Sequence, residues 1–184
     1  MKIATMATGG IGGYLAVKLS IAGFNVSTIA RGRHLAAIKK NGLILDGPNG
    51  YEKTHPSLAT DNSSEIGEVD VIIFGVKCGS LEVAAEACKP MLKKETVLVP
   101  FLNGVETVER LLKILPKENI ANGVAKVSTT IIAPGVIKQT GDFRTFVFAE
   151  CDNRPSYRIE ELQKAITKAG AIAPITNDIV KEMW

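Results

Sequence analysis

Apolar residues recur along this chain with two alternating periods, and that alternation predicts an α/β fold. Ile3 to Ala7 is an apolar-rich run leading into glycines, as a buried strand requires. Ile11, Leu15, Leu19 and Ala22 then recur at helical spacing, and Gly23 supplies the stop. Asn25 to Ala30 reads as a second strand, completing a strand–helix–strand unit. Leu35, Ala36 and Ile38 predict a short helix over 33–40, closed by Asn41-Gly42. Two short apolar stretches around Asp46-Gly-Pro-Asn-Gly50 predict a hairpin within 42–60. Asp70 to Val76 is an uninterrupted apolar run suited to a central strand buried on both faces. A helix over 81–91 follows, then a strand over 96–101 with Pro100 at its terminus, then a helix over 106–115 stopped by Pro116.

Beyond Asn119 the character changes. The stretch to Glu150 reads as β, with turns at Ala133-Pro-Gly135 and Thr140-Gly-Asp142, and predicts antiparallel additions to the sheet. A helix over 155–169 ends at Gly170, and Ala171 to Ile175 reads as a last short strand. Strand and helix alternate up to about Leu115, so the expected fold class is a Rossmann-type, doubly wound, mostly parallel sheet. Thr176 or Asn177 can cap a final helix whose apolar face begins with Ile179, Val180 and Met183. Such a helix is too short to stand unaided. The expected organisation is therefore one domain over 1–175, with 176–184 opening a helix that leads into a second domain.

The first strand runs into Ala7-Thr8-Gly9-Gly10-Ile11-Gly12, where a doubly wound sheet holds a dinucleotide pyrophosphate. Gly9 would let a phosphate approach the backbone, and Gly12 would let the helix sit close on the strand. The free amides and positive dipole end of that helix would face the phosphates. The usual first glycine is Ala7 here. A methyl group is harmless at negative φ and costs about 1 kcal/mol or more at positive φ. Roughly 20 residues further on, an NAD-specific protein carries an acid for the ribose 2′-hydroxyl. This chain carries Arg31, with no later acid before Asp46. An arginine in a loop is ordinarily just solvated, but at this position a guanidinium suits a 2′-phosphate and predicts NADPH over NADH.

Composition changes little. A hydrophobic fraction of 46% with 22% charged residues is ordinary for a globular domain. A net charge of +3, scattered along the chain, argues against nucleic acid as a partner, and no apolar run is long enough to predict a membrane span. Cys78, Cys88 and Cys151 are unevenly spaced without a C-x-x-C pair, which predicts reduced thiols in a cytoplasmic protein and no metal site. Cys78 is expected to be a small buried residue. Lys77 follows a fully apolar strand and could neutralise a phosphate or a substrate carboxylate. Asn103 begins Asn103-Gly-Val-Glu106, a capping-box pattern equally compatible with a ligand contact. His34 and His55 are both expected at the surface.

Several of these motifs, taken in order, resemble ketopantoate reductase over essentially the whole chain. They are the glycine loop followed by Gly13-Tyr14, Ala30-Arg31-Gly32, Val76-Lys77, Leu102-Asn103-Gly104-Val105-Glu106, Ala133-Pro134-Gly135-Val136 with Gly141, and Glu182-Met183-Trp184. The resemblance implies an NADPH-dependent reduction of a 2-oxo acid, ketopantoate to pantoate, on the route to coenzyme A. It implies Arg31 on the 2′-phosphate, Gly9 to Gly12 on the pyrophosphate, and Lys77 on the cofactor. It places Asn103 near the nicotinamide ribose and substrate, and Thr129 beside the cofactor. The family's general-acid lysine follows the tryptophan of a Trp-x-Lys pattern and would lie beyond Trp184. A helical substrate domain is the implied packing partner, with a homodimer also in view. Alternatives are a reductase of this fold acting on another 2-oxo acid, and a non-catalytic NADP-binding sensor.

Overall fold

The computed structural model describes residues 1–102 and 106–183, leaving aside the side chain of Met183. The first β–α–β unit comprises β1 (Lys2–Met6), α1 (Gly10–Ile21) and β2 (Asn25–Ile29). After α2 (Gly32–Asn41) come β3 (Leu43–Gly47), β4 (Gly50–Thr54) and β5 (Leu58–Thr60). The central strand β6 (Val71–Phe74) leads to α3 (Leu81–Cys88), β7 (Val97–Pro100) and α4 (Thr107–Leu111). Two long strands, β8 (Ala121–Ala133) and β9 (Val136–Glu150), precede α5 (Tyr157–Lys168) and α6 (Ile179–Met183).

Five strands form a parallel sheet in the order β5-β2-β1-β6-β7. The order reverses between β1 and β6, which opens a crevice outside their carboxyl ends. Strand alternation divides the core. Ile3, Val71, Ile73 and Val99 face α1 and α5, while Ala4, Met6, Ile72 and Phe74 face α3 and α4. The expected antiparallel additions are present as a sheet of their own, ordered β4-β3-β9-β8, in which β3 and β9 run parallel. That sheet covers α1 from the far side, placing Leu43, Leu45, Ile137 and Phe146 in the same core as Tyr14, Leu15 and Leu19. Helix α1 is thus sandwiched, which explains why its sequence is apolar nearly all round.

Four local expectations change. The hairpin of β3 and β4 forms as read, but Leu58–Thr60 pairs in parallel with β2 as the sheet edge. The turn expected at Thr140-Gly-Asp142 is no chain reversal. Between the pairs Val127↔Arg144 and Thr129↔Gln139, β9 bulges outward, with Gly141 at φ +72°. The last strand reduces to one bridge, Thr145↔Ile172. At the start of α6 the capping oxygen belongs to Asp178, whose Oδ1 accepts from the Lys181 amide at 3.1 Å.

Helix α5 is pinned to the end of β9 by a fork. Arg158 donates to both oxygens of Glu150 at 2.7 Å, and Ser156 donates to Oε1 at 2.6 Å. Burial works to raise the Glu150 carboxyl, but these donors and the guanidinium charge outweigh it and hold the group below its ordinary value. A carboxyl so depressed contributes stability above its unfolded value near 4.5 and loses it as pH falls through the lower folded value. Glu150→Gln is expected to cost about 1–2 kcal/mol near neutrality, with the gap from wild type closing below about pH 4. Urea unfolding across that range measures it.

Candidate functional site

The carboxyl ends of β1, β2, β6 and β7 open onto a cleft of about 1030 Å³. Its floor is the segment from Met6 to Ile11. Its walls are Ala30-Arg31, Gly75 to Ser80, Phe101-Leu102 and, from the second sheet, Thr129 to Ile131. The structure thus brings together Ala7, Thr8, Gly9, Gly10, Ile11, Arg31, Lys77 and Thr129, with Gly12 in the first turn of α1 beneath them. Asn103, and with it the capping-box reading, lies outside the described residues.

The floor is held rigidly. The Thr8 amide and hydroxyl both donate to the Ile29 carbonyl, at 2.8 and 2.9 Å, and tie the loop to the end of β2. The Gly75 amide donates to Met6 at 3.1 Å, tying β1 to β6. Each glycine has its own reason. A Cβ on Gly12 would collide with the Ala7 carbonyl oxygen, so helix and strand meet there at backbone distance. One on Gly10 would collide with the Thr129 carbonyl. A Cβ on Gly9 would meet no atom of the described residues within 4 Å, its chain neighbours aside, and would project into the cleft. Ala7 adopts φ +67°, the left-handed region in which its methyl group costs about 1 kcal/mol. The loop keeps the geometry of the glycine fingerprint and bears that cost.

Electrostatically the cleft is made for anions. Helix α1 starts at its floor with no acidic residue in its first turn. The opening amides of a helix have no intrahelical acceptor, and their dipole end is positive. Arg31 and Lys77 are exposed on opposite walls, and neither pairs with another described residue. No carboxylate is among the described residues that line the cleft. Thr129 presents a buried Oγ1 with no hydrogen-bond partner among the described residues, beside Gly10. A buried unpaired hydroxyl is costly. Backbone amides and two cations around one cleft fit a dinucleotide diphosphate. Among the described residues no group of His, Cys, Asp and Glu side chains could hold a metal ion, and no helix is long and apolar enough to cross a membrane.

Two residues differ from their expected placement. Cys78, expected to be buried, is exposed on the cleft wall beside Lys77. Burial instead falls to Cys88 and pushes its thiol far up, while the Cys151 thiol, also raised by burial, points at the Ile120 carbonyl at 3.2 Å. His34, expected at the surface, is half-buried in the cleft and bonded through both ring nitrogens.

The sequence profile described as ketopantoate reductase PanE/ApbA matches residues 3–153. The chain belongs to that family. Among curated relatives, a 2-dehydropantoate 2-reductase of Mesorhizobium japonicum is 33% identical over 205 residues, covering 100% of this chain and 62% of the relative. The uncharacterized oxidoreductase YkpB of Bacillus subtilis is 32% identical over 184 residues, covering 100% of this chain and 60% of the relative. The crystal structure of a 2-dehydropantoate 2-reductase from Porphyromonas gingivalis superposes with a TM-score of 0.94 at 32% identity, covering 100% of this chain and 66% of that one. The chain therefore spans about three-fifths of the length of the curated relatives it matches. Ketopantoate reductases are oxidoreductases, and the Rossmann-type sheet of this chain is theirs.

Proposed function

We propose that this chain is the cofactor-binding part of an NADPH-dependent reductase that converts 2-dehydropantoate to pantoate, on the route to coenzyme A. The observation that carries the cofactor assignment is Arg31, exposed at the end of β2 with no ion-pair partner among the described residues. A guanidinium there can grip a 2′-phosphate through two charge-assisted donors, where an acid would serve a free ribose hydroxyl. The substrate assignment follows from the names of the relatives.

When bound, the reduced nicotinamide supplies a hydride to the carbonyl carbon of the substrate. The amides of Gly9 to Gly12 bind the diphosphate in this reading, and Thr129 borders the cofactor from the second sheet. Lys77 neutralises charge on the cofactor from the opposite wall. Asn103 is assigned the nicotinamide ribose and the substrate. The donor that protonates the developing alkoxide is assigned to the part of the relatives' length that this chain does not span. The chain alone is accordingly expected to bind NADPH weakly and to turn over no ketopantoate, since loss of a general acid costs about 10²–10⁴-fold before any loss of substrate positioning.

Parallel titrations with NADPH and NADH test the assignment. Charge-assisted hydrogen bonds are worth about 1.5–3 kcal/mol, so Arg31→Ala should weaken NADPH about 10- to 100-fold. Its effect on NADH should stay within about threefold. Equal affinities for the two cofactors, indifferent to the substitution, would remove the 2′-phosphate reading.

A further inference from the structure

We propose that His34 is a positioning residue that locks the glycine loop and the β8–β9 turn into one preformed cradle, acting only as its neutral Nε2–H tautomer. The consequence for affinity rests on the reading of the cleft as a dinucleotide site. Nε2 lies 2.8 Å from the Thr8 carbonyl oxygen, which can only accept, so that nitrogen carries the hydrogen. Nδ1 lies 3.0 Å from the Gly135 amide, which can only donate, so that nitrogen offers its lone pair. The second contact joins residues 101 apart in the chain and so ties two distant segments together.

Both anchors belong to the cradle. Thr8 sits between Ala7, held at positive φ, and Gly9, the residue whose missing Cβ leaves the cleft open. Gly135, at φ +77°, closes the hairpin whose strand β8 brings Thr129 to Ile131 onto the wall. With both nitrogens occupied, the imidazole acts on the ligand through the loop and the turn. A doubly protonated ring would have no acceptor for the Gly135 amide, which would then face an N–H.

No neighbouring carboxylate compensates for that proton. The glycine loop, the turn Ala133 to Gly135, Ala37 and Gly42 carry no ionisable side chain. The other titratable groups lining the cleft are Arg31, Lys77 and Cys78, with Arg33 adjacent on α2. Asp46 and Lys138, on the strands beyond the turn, face each other at 3.6 Å. A second proton on the ring would therefore loosen the cradle and weaken dinucleotide binding.

Two variants separate positioning from bulk. In His34→Gln the amide can donate to Thr8 and accept from Gly135 at any pH, whereas His34→Ala can do neither. Calorimetric titration of the 184-residue chain with NADPH is run at about pH 7.5, and ¹⁵N spectra report the ring nitrogens of the wild type. His34→Gln should lie within about threefold of wild type, and His34→Ala should bind about tenfold more weakly. The neutral spectrum should show a protonated Nε2 and a bare Nδ1. A His34→Ala chain that binds as tightly as wild type, a His34→Gln chain no better than His34→Ala, or the opposite tautomer, would overturn the proposal. A fixed Nε2–H tautomer in a chain that binds neither dinucleotide would support the clamp and overturn only the assignment of the ligand.

Discussion

Gly12→Ala is expected to lower the melting temperature by about 10 °C and to weaken NADPH binding more than about 100-fold. The added Cβ would fall on the carbonyl oxygen of Ala7, a backbone atom with no rotamer to give way. Relief requires either α1 to lift from β1 or the loop to move outward. Lifting α1 disturbs Tyr14, Leu15, Ala16 and Val17, all fully buried between two sheets. Moving the loop breaks the pair of bonds from Thr8 to Ile29 and carries the anion-facing amides out of line. Overpacking of this kind costs about 1–3 kcal/mol or more, and each kcal/mol is worth about 2–4 °C in a chain of this size. Gly9→Ala separates the two effects. Its Cβ meets no atom of the described residues within 4 Å, chain neighbours aside, and its φ of −81° suits alanine, so stability should be unchanged while affinity falls about tenfold or more. Thermal melts paired with NADPH titrations decide this, and a Gly12→Ala protein matching wild type in both would mean that helix and strand are not in contact there.

What could be read beforehand was whatever has a local cause. The run at β6 is buried on both faces and carries no polar interruption, and β1 is broken only by Thr5 inside its apolar stretch, which makes both visible in one dimension. The glycine loop and Arg31 were recognisable because backbone approach and charge placement are tied to fixed offsets within one β–α–β unit. Strand β5 is not legible because three residues hold no period, and only its register against β2 makes it a strand. Gly141 reads as a chain reversal because the same positive φ that serves a turn also serves a bulge. His34 reads as a surface residue because its partners stand 26 and 101 residues away, and nothing around it in the sequence points to either. Thr129 came from family resemblance alone. Its orphan hydroxyl and its contact with Gly10 depend on β8 crossing α1, a meeting of elements more than a hundred residues apart.

That crossing is held by aromatic rings, and Phe146→Ala is expected to be the most destabilising single truncation, by about 3–5 kcal/mol. Phe146 on β9 is fully buried, stacks on Tyr14 of α1 at 5.7 Å and meets Phe101 edge-on at 5.3 Å. Removing it opens a cavity where α1, the second sheet and the end of β7 converge, with no single element able to collapse into it. A functional cost should follow, because Phe101 lies on the cleft wall and Thr129 reaches that wall only while β8 and β9 are seated. Tyr14→Phe is the matched control. The Tyr14 hydroxyl is buried with no hydrogen-bond partner among the described residues, and burial, only partly countered by the charge of Arg144, pushes its pKa up to about 12. Deleting an unsatisfied hydroxyl while keeping the ring should leave stability unchanged or raise it by up to about 1 kcal/mol. Urea unfolding of both variants, with NADPH titration of the folded fraction, tests the pair. A loss under about 1 kcal/mol in Phe146→Ala would show that the second sheet is anchored elsewhere and that the cleft does not depend on this joint.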